Sequence, residues 1–135
     1  MPVDVTAFSH TVTCDLDQEG AIARVEEALA AEGFGVLTRI DVQATMKNKL
    51  GVERDPYVIL GACNPKIAHG ALQAEPLLGV LLPCNVVVHQ QDGVTKVSAV
   101  DAGAMLGVVG NDALQGAATE VDARLGRVLQ AVAAG

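Results

Sequence analysis

The sequence predicts a single domain that mixes strands with helices and contains a β-hairpin, and three observations predict it. Short stretches with the alternation or the unbroken apolar run of a strand are interleaved with stretches that carry apolar residues at helical spacing. Asp92-Gly93 is the strongest hairpin signal in the chain and joins two such strands directly. At 135 residues the chain fits one domain. A chain of that size buries about two-thirds of its unfolded surface, so a core can form without disulfides.

Composition excludes several roles. The chain is 50% hydrophobic but only 2% aromatic, so its core is built from Val, Leu, Ile and Ala, and stacking platforms for bases are scarce. Nine Lys and Arg stand against sixteen Asp and Glu, a net charge of -7. That balance repels a phosphate backbone and argues against a nucleic-acid partner. Three cysteines, Cys14, Cys63 and Cys84, lie far apart with no Cys-x-x-Cys repeat, a usage that suits a reducing compartment. The start Met1-Pro2-Val3-Asp4 lacks the basic and apolar regions of a secretory signal, and no stretch reaches the length of a membrane span. The expectation is a cytoplasmic protein without a membrane partner.

In order along the chain, Phe8, His10, Val12 and Cys14 alternate with Ser9, Thr11 and Thr13, the period of a strand with one face buried. His10 and Cys14 then look inward, as a hydrogen-bonded core histidine and a small buried thiol. Asp15 and Gln18 have capping-box spacing, and Ile22, Val25 and Leu29 form one stripe of the helix that follows, which Gly33 ends. Gly35 to Ile40 reads as a short strand. Asp41 caps a second helix with Val42, Met46 and Leu50 on one side and Gly51 at its end, leaving Lys47 and Lys49 solvated.

Pro56 to Cys63 is a nearly continuous apolar run, which predicts a central strand covered on both faces. Asn64 is a favourable N-cap and Pro65 a favourable first helical residue, so a helix follows at once and runs to about Glu75 before Pro76. Leu77 to Leu82 is an apolar connector into the strand Cys84 to Gln91, and the hairpin returns as Val94 to Val100. A two-residue turn sets Gln91 against Val94, Val88 against Val97, Val86 against Ala99 and Cys84 against Asp101. Cys84 then shares the apolar face of Val86 and Val88, and Asn85, Val87, His89, Lys96 and Ser98 take the other. Asp101 to Val109 forms one or two helical turns. Asn111 or Asp112 caps a terminal helix whose stripe of Leu114, Val121, Leu125, Val128, Leu129 and Val132 packs across the sheet.

The chemically unusual stretch is Gly61-Ala62-Cys63-Asn64-Pro65, mirrored by Pro83-Cys84-Asn85-Val86 with His69 between them. Consecutive strands are usually neighbours, so the end of one adjoins the start of the next. That places Cys63, Asn64, Cys84 and Asn85 at one corner, at the N-terminus of the helix beginning at Pro65. In one reading the thiols are small core residues and the two Asn are caps. In a second, the helix N-terminus, the amides of Asn64 and Asn85, and Lys66 receive a small anionic ligand, with His69 one turn inside. In a third, Cys63, His69 and Cys84 carry thiol-redox or metal chemistry, although Cys-x5-His-x14-Cys is not a recognised zinc spacing.

No serine elbow, phosphate loop, dinucleotide fingerprint or catalytic carboxylate pair is present in the sequence. A Cys-His nucleophile would lack an orienting acid. No catalytic residue and no cofactor are predicted, and the favoured expectation is a non-catalytic binding or structural protein.

The segments Gly33-Phe34-Gly35-Val36-Leu37-Thr38, Ile40 to Lys47, Ile59-Leu60-Gly61-Ala62-Cys63-Asn64-Pro65, Ala68-His69, Leu81 to Val88 and Ser98-Ala99-Val100-Asp101 together resemble the family known as domain of unknown function 302. The resemblance covers nearly the whole chain. It implies a TBP-like α+β fold, a curved antiparallel sheet with helices packed on one face, often found as a homodimer, and no established activity. The family's shared Cys-Asn and His positions fall on Cys63, Asn64, His69, Cys84 and Asn85. Glu53-Arg54-Asp55-Pro56-Tyr57 departs from the acidic-aromatic-Arg lead expected there. A sheet covered on one side leaves apolar surface elsewhere, so a homodimer is expected to bury either the connector or the outer hairpin face.

Overall fold

The computed structural model describes residues 3–134. Met1 and Pro2, which open the stretch read above as free of a signal, lie outside the described residues. Strands β1 (Asp4–Val5), β2 (Ser9–Cys14), β3 (Gly35–Asp41), β4 (Tyr57–Cys63), β5 (Cys84–Gln91) and β6 (Val94–Val100) form one open sheet in the order β1-β2-β6-β5-β4-β3. Every neighbouring pair is antiparallel. Helices α1 (Gln18–Ala31), α2 (Val42–Leu50), α3 (Pro65–Ala74), α4 (Ala102–Gly107) and α5 (Gln115–Ala133) connect or follow the strands.

The hairpin has the expected register, with Gln91 opposite Val94, Val88 opposite Val97 and Val86 opposite Ala99. Asp92 and Gly93 both take positive φ, 54° and 77°, as a turn matched to strand twist requires. The ladder stops before Cys84 meets Asp101, because β6 ends at Val100 and Asp101 turns away to cap α4. Cys84 instead lies opposite Ala62 of β4.

Alternation along the strands sends Val12, Leu60, Val86, Val88 and Val97 to one face, where they pack on Ile22, Val25 and Leu29 of α1 and Leu125, Val128 and Val132 of α5. Each such Val, Leu or Ile contributes about 1.5–3 kcal/mol by leaving water. A second, smaller cluster joins Ala71 of α3, Leu78, Leu106 of α4, Leu114 and Ala118.

Several expectations require correction. Phe8 precedes β2 and is 69% exposed, so it is not part of the inward set. The cap of α1 is Asp17, which accepts from the Gly20 amide at 2.8 Å, because Asp15 and the half-buried Leu16 form the turn off β2. Gln18 reaches the Val88 carbonyl at 2.8 Å in place of closing a capping box. β4 is next to the β3 edge, and only its Val58, Leu60 and Ala62 face is fully buried, with Tyr57 and Ile59 half-buried opposite. Helix α2 buries no residue, and its Leu50 is 69% exposed.

Candidate functional site

The end of β4 and the start of β5 adjoin, as the mirrored Cys-Asn pairs predict, and a cavity of about 270 Å³ opens beside Cys63, Asn64 and Cys84. It forms because β4 ends at Cys63 and α3 begins two residues later, turning away from the sheet. Asn64 caps that turn, its Oδ1 accepting from the Ile67 amide at 3.2 Å, with Pro65 in the first turn. The segment after α3 does not run as an irregular connector: Pro76–Leu81 is a 3-10 helix, capped by Glu75 accepting from the Leu77 amide at 3.3 Å. It buries Leu78 and returns the chain to β5 at Cys84.

The cavity is walled by Phe34 and Leu37 at the start of β3, Ala62 and Cys63 of β4, Asn64, one face of α3, Leu78, Leu82, Pro83, Cys84, and Met105, Leu106, Ala117 and Val121 from the C-terminal helices. No charged side chain is among them. Gly61 lets Pro83 close over the strand, since a Cβ there would stand 2.7 Å from the Pro83 Cγ and would also strike the Thr38 hydroxyl. At Gly33, φ is +82°, and a Cβ would lie 3.0 Å from the Asn64 Nδ2. The Asn64 amide is thus held against the end of α1.

Of the residues singled out from sequence, Cys63, Asn64 and Cys84 meet at this wall, and Lys66, His69 and Asn85 do not. The cause in each case is periodicity. On α3 the cavity receives Ile67, Ala68, Ala71 and Leu72, and at 3.6 residues per turn Lys66 and His69 project elsewhere and are exposed. On β5, successive side chains alternate, so Cys84 faces the helices while Asn85, opposite Gly61, is exposed on the other face. Among the described residues no three His, Cys, Asp or Glu side chains gather as a metal site, so the trio Cys63, His69 and Cys84 is not assembled.

All three cysteines are free thiols. Burial, and then the neighbouring Cys63 and Asp122, push the Cys84 thiol up to about 11. Cys84 is therefore protonated at neutral pH, a poor nucleophile and a poor metal ligand. Cys63 is half-buried and better reached from solvent.

Two polar clusters lie away from the corner. On the outer sheet face, Ser98 Oγ is 2.7 Å from Thr11 Oγ1 and 3.0 Å from His89 Nε2. The His89 ring lies 5.5 Å from that of Tyr57, which carries the Arg54 guanidinium 4.8 Å above its centre. Burial, with Lys96 and Arg54 nearby, lowers the His89 pKa, which favours the neutral ring as a partner for Ser98. At the other end of the sheet His10 Nε2 meets Asp101 Oδ2 at 2.8 Å, the hydrogen-bonded histidine expected in β2. Its partner stands 91 residues away, and no local pattern points to it. The residues missed by sequence reading are the cavity wall itself, Phe34, Leu37, Leu78, Met105, Leu106, Ala117 and Val121. The apolar connector Leu77 to Leu82, with no partner apparent in sequence, was their one visible sign.

A family model described as domain of unknown function DUF302 matches residues 10–132. The chain is also similar to the crystal structure of an uncharacterized conserved protein DUF302 from Bacillus stearothermophilus, with 34% sequence identity and a TM-score of 0.88, covering 94% of this chain and 99% of that one. No curated protein matches. The sheet and its helices agree with the α+β arrangement that the resemblance implies. No helix among the described residues is long and apolar enough to cross a membrane.

Proposed function

The chain belongs to the DUF302 family, and from that premise we propose that it is a non-catalytic binding protein whose ligand occupies the cavity at the Cys63-Asn64 and Pro83-Cys84 corner. The observation that carries the reading is a cavity of about 270 Å³ with an almost wholly apolar wall, beside an asparagine whose Oδ1 is committed to a helix cap. Concave, apolar sites with a few placed polar groups are the usual form of small-molecule sites. The features of a catalytic centre are missing from that wall: it has no acid, base or cation, and the Cys84 thiol is held protonated.

The same wall argues against the anionic ligand expected from sequence. Lys66 and the Asn85 amide project elsewhere, and an unpaired charge brought into an apolar cavity is strongly disfavoured. A ligand that binds only the folded state raises its melting temperature. A thermal-shift screen of the full chain against small carboxylates, phosphates, nucleotides and neutral apolar compounds should give its hits in the last class. Ala68→Phe, which fills the wall from a half-buried position, should abolish them. Hits insensitive to Ala68→Phe would place binding elsewhere.

The protein is further proposed to act as a homodimer. Leu77 is 75% and Val80 84% exposed on the 3-10 helix, and Val108 is exposed on the segment after α4. With Leu81 and the half-buried Val109, and with Glu75 beside them, Leu77 and Val80 make a largely apolar patch that favours the connector over the hairpin face, whose Ser98, Thr11 and His89 already satisfy one another.

A further inference from the structure

Resting on the corner-cavity reading, we infer that the ligand is an uncharged, flexible aliphatic molecule of medium length that ends in one hydrogen-bond acceptor, a carbonyl compound with a straight alkyl chain. Three features of the wall define it. At about 30 Å³ for each water-sized group, a cavity of about 270 Å³ holds on the order of nine heavy atoms. The wall is aliphatic, supplied by Leu37, Ile67, Leu72, Leu78, Leu82 and Leu106 with Phe34 as the only aromatic ring. It therefore offers neither the paired rings that grip a flat heterocycle nor the many donors and acceptors that a sugar requires.

Asn64 supplies the remaining selectivity. Its Oδ1 accepts from the Ile67 amide and its Nδ2 stands beside Gly33 at the end of α1. The Nδ2 hydrogens, with no side-chain partner of their own among the described residues, are thus the donors this lining residue has left for a ligand, and they call for an acceptor. No cation lines the cavity, and Arg124, whose Nη1 stands beside Gly33 as the Asn64 Nδ2 does, is already engaged by Glu120 and the Glu32 carbonyl. That acceptor is therefore neutral, because a carboxylate would enter without a free counter-charge. Cys84, buried in the same wall, contributes a soft, polarisable surface for the chain.

The test titrates the isotope-labelled full chain with four probes and follows the amide resonances of Ile67, Ala71, Leu78 and Leu106. 2-Octanone, with nine heavy atoms, should bind and shift them. 2-Pentanone, three methylenes shorter, should bind about sixtyfold more weakly, at about fourfold for each methylene. Indole, equal in size but flat and a donor, and octanoate, charged, should both bind more weakly than 2-octanone. Asn64→Asp retains a good N-cap while removing the donor, and should weaken 2-octanone several-fold at unchanged melting temperature. Ala68→Phe should abolish binding. Octanoate or indole binding more tightly than 2-octanone at these resonances would overturn the ligand class and leave the cavity reading standing. Undiminished binding to Asn64→Asp would remove the acceptor requirement, and no shift at the wall with any probe would overturn the class and the cavity reading together.

Discussion

Gly61 holds the corner in shape by having no side chain. A Cβ there would meet the exposed Thr38 hydroxyl, which can rotate away, and the Pro83 ring at 2.7 Å, which is fixed to its backbone. Gly61→Ala should therefore destabilise the fold by about 1–3 kcal/mol through overpacking, read as a lower midpoint in urea unfolding. Gly35→Ala, where nothing lies within 4 Å of the added carbon, is the control and should shift the midpoint little. The two corner thiols differ as sharply. Cys84 is buried and its thiol pushed up to about 11, Cys14 is buried, and Cys63 is half-buried. Iodoacetamide at pH 8 should modify Cys63 first in the native protein, with Cys84 and Cys14 following only on denaturation. Equal rates at Cys63 and Cys84, followed by mass spectrometry, would mean that the cavity wall opens freely. At this scale half of the candidate site was legible as geometry: Cys63, Asn64 and Cys84 meet where two strand ends adjoin. Lys66, His69 and Asn85 are near these residues in sequence but project away from them, as the 3.6-residue period of α3 and the two-residue period of β5 require.

At the scale of elements, strands and helices were readable wherever a local rule acts. Asp41, Asn64 and Asp101 each cap the helix they precede, accepting from Ala44, Ile67 and Ala104, and the Asp92-Gly93 turn set the hairpin register. The departures arose where tertiary placement decides. Helix α2 has an apolar stripe but lies where nothing covers Leu50. The two-residue β1, which exists only as an edge partner of β2, carries no pattern of its own. One coupling had no local sign at all. Arg124 of α5 donates through Nη1 to the carbonyl of Glu32 at 2.8 Å, satisfying the C-terminus of α1, while its Nε meets Glu120 at 2.8 Å. Arg124→Leu should keep the stem packing and lose the cap, costing about 1–2 kcal/mol. Hydrogen exchange should show the loss as faster amides in the last turn of α1 and in Gly33 and Phe34, and exchange unchanged there would show that the helix end is held by packing alone.

For the whole molecule, three groups depressed in the folded state act with one sign. Glu32 is held below the usual carboxylate range by its hydrogen bond from Arg127, Asp101 by the Ala104 amide and then His10, and His89 is lowered by burial. Each contributes stability that is present above its unfolded pKa and lost as pH falls through the folded value. Acid loss should thus begin near about pH 6.5 with His89 and continue below about pH 4 with the carboxylates. Cys84 is raised, so its contribution is complete below the unfolded thiol value and fades as pH climbs toward about 11. Urea midpoints should peak between about pH 7 and 8, and His89→Gln should remove the first part of the acid limb. Assembly is the larger question, because a sheet covered by α1 and α5 on one face leaves apolar residues to be covered by something else. On the outer sheet face Val87 stands between the half-buried Ile59 and Ser98, and Ser98 is satisfied by Thr11 and His89, whereas Leu77 and Val80 project from the 3-10 helix at 75% and 84% exposure. A two-fold contact through this helix would cover both copies at once, which is how an isologous interface gains from each residue twice. Sedimentation at micromolar concentration should give a dimer, and Val80→Asp should convert it to the 13.9 kDa monomer, while Lys96→Glu on the outer sheet face should leave the dimer intact. The opposite pattern would move the interface to the hairpin. Because the 3-10 helix also carries Leu78 into the cavity wall, a dimer joined there should slow the exchange of ligand, so a Val80→Asp monomer should release 2-octanone faster than the parent protein.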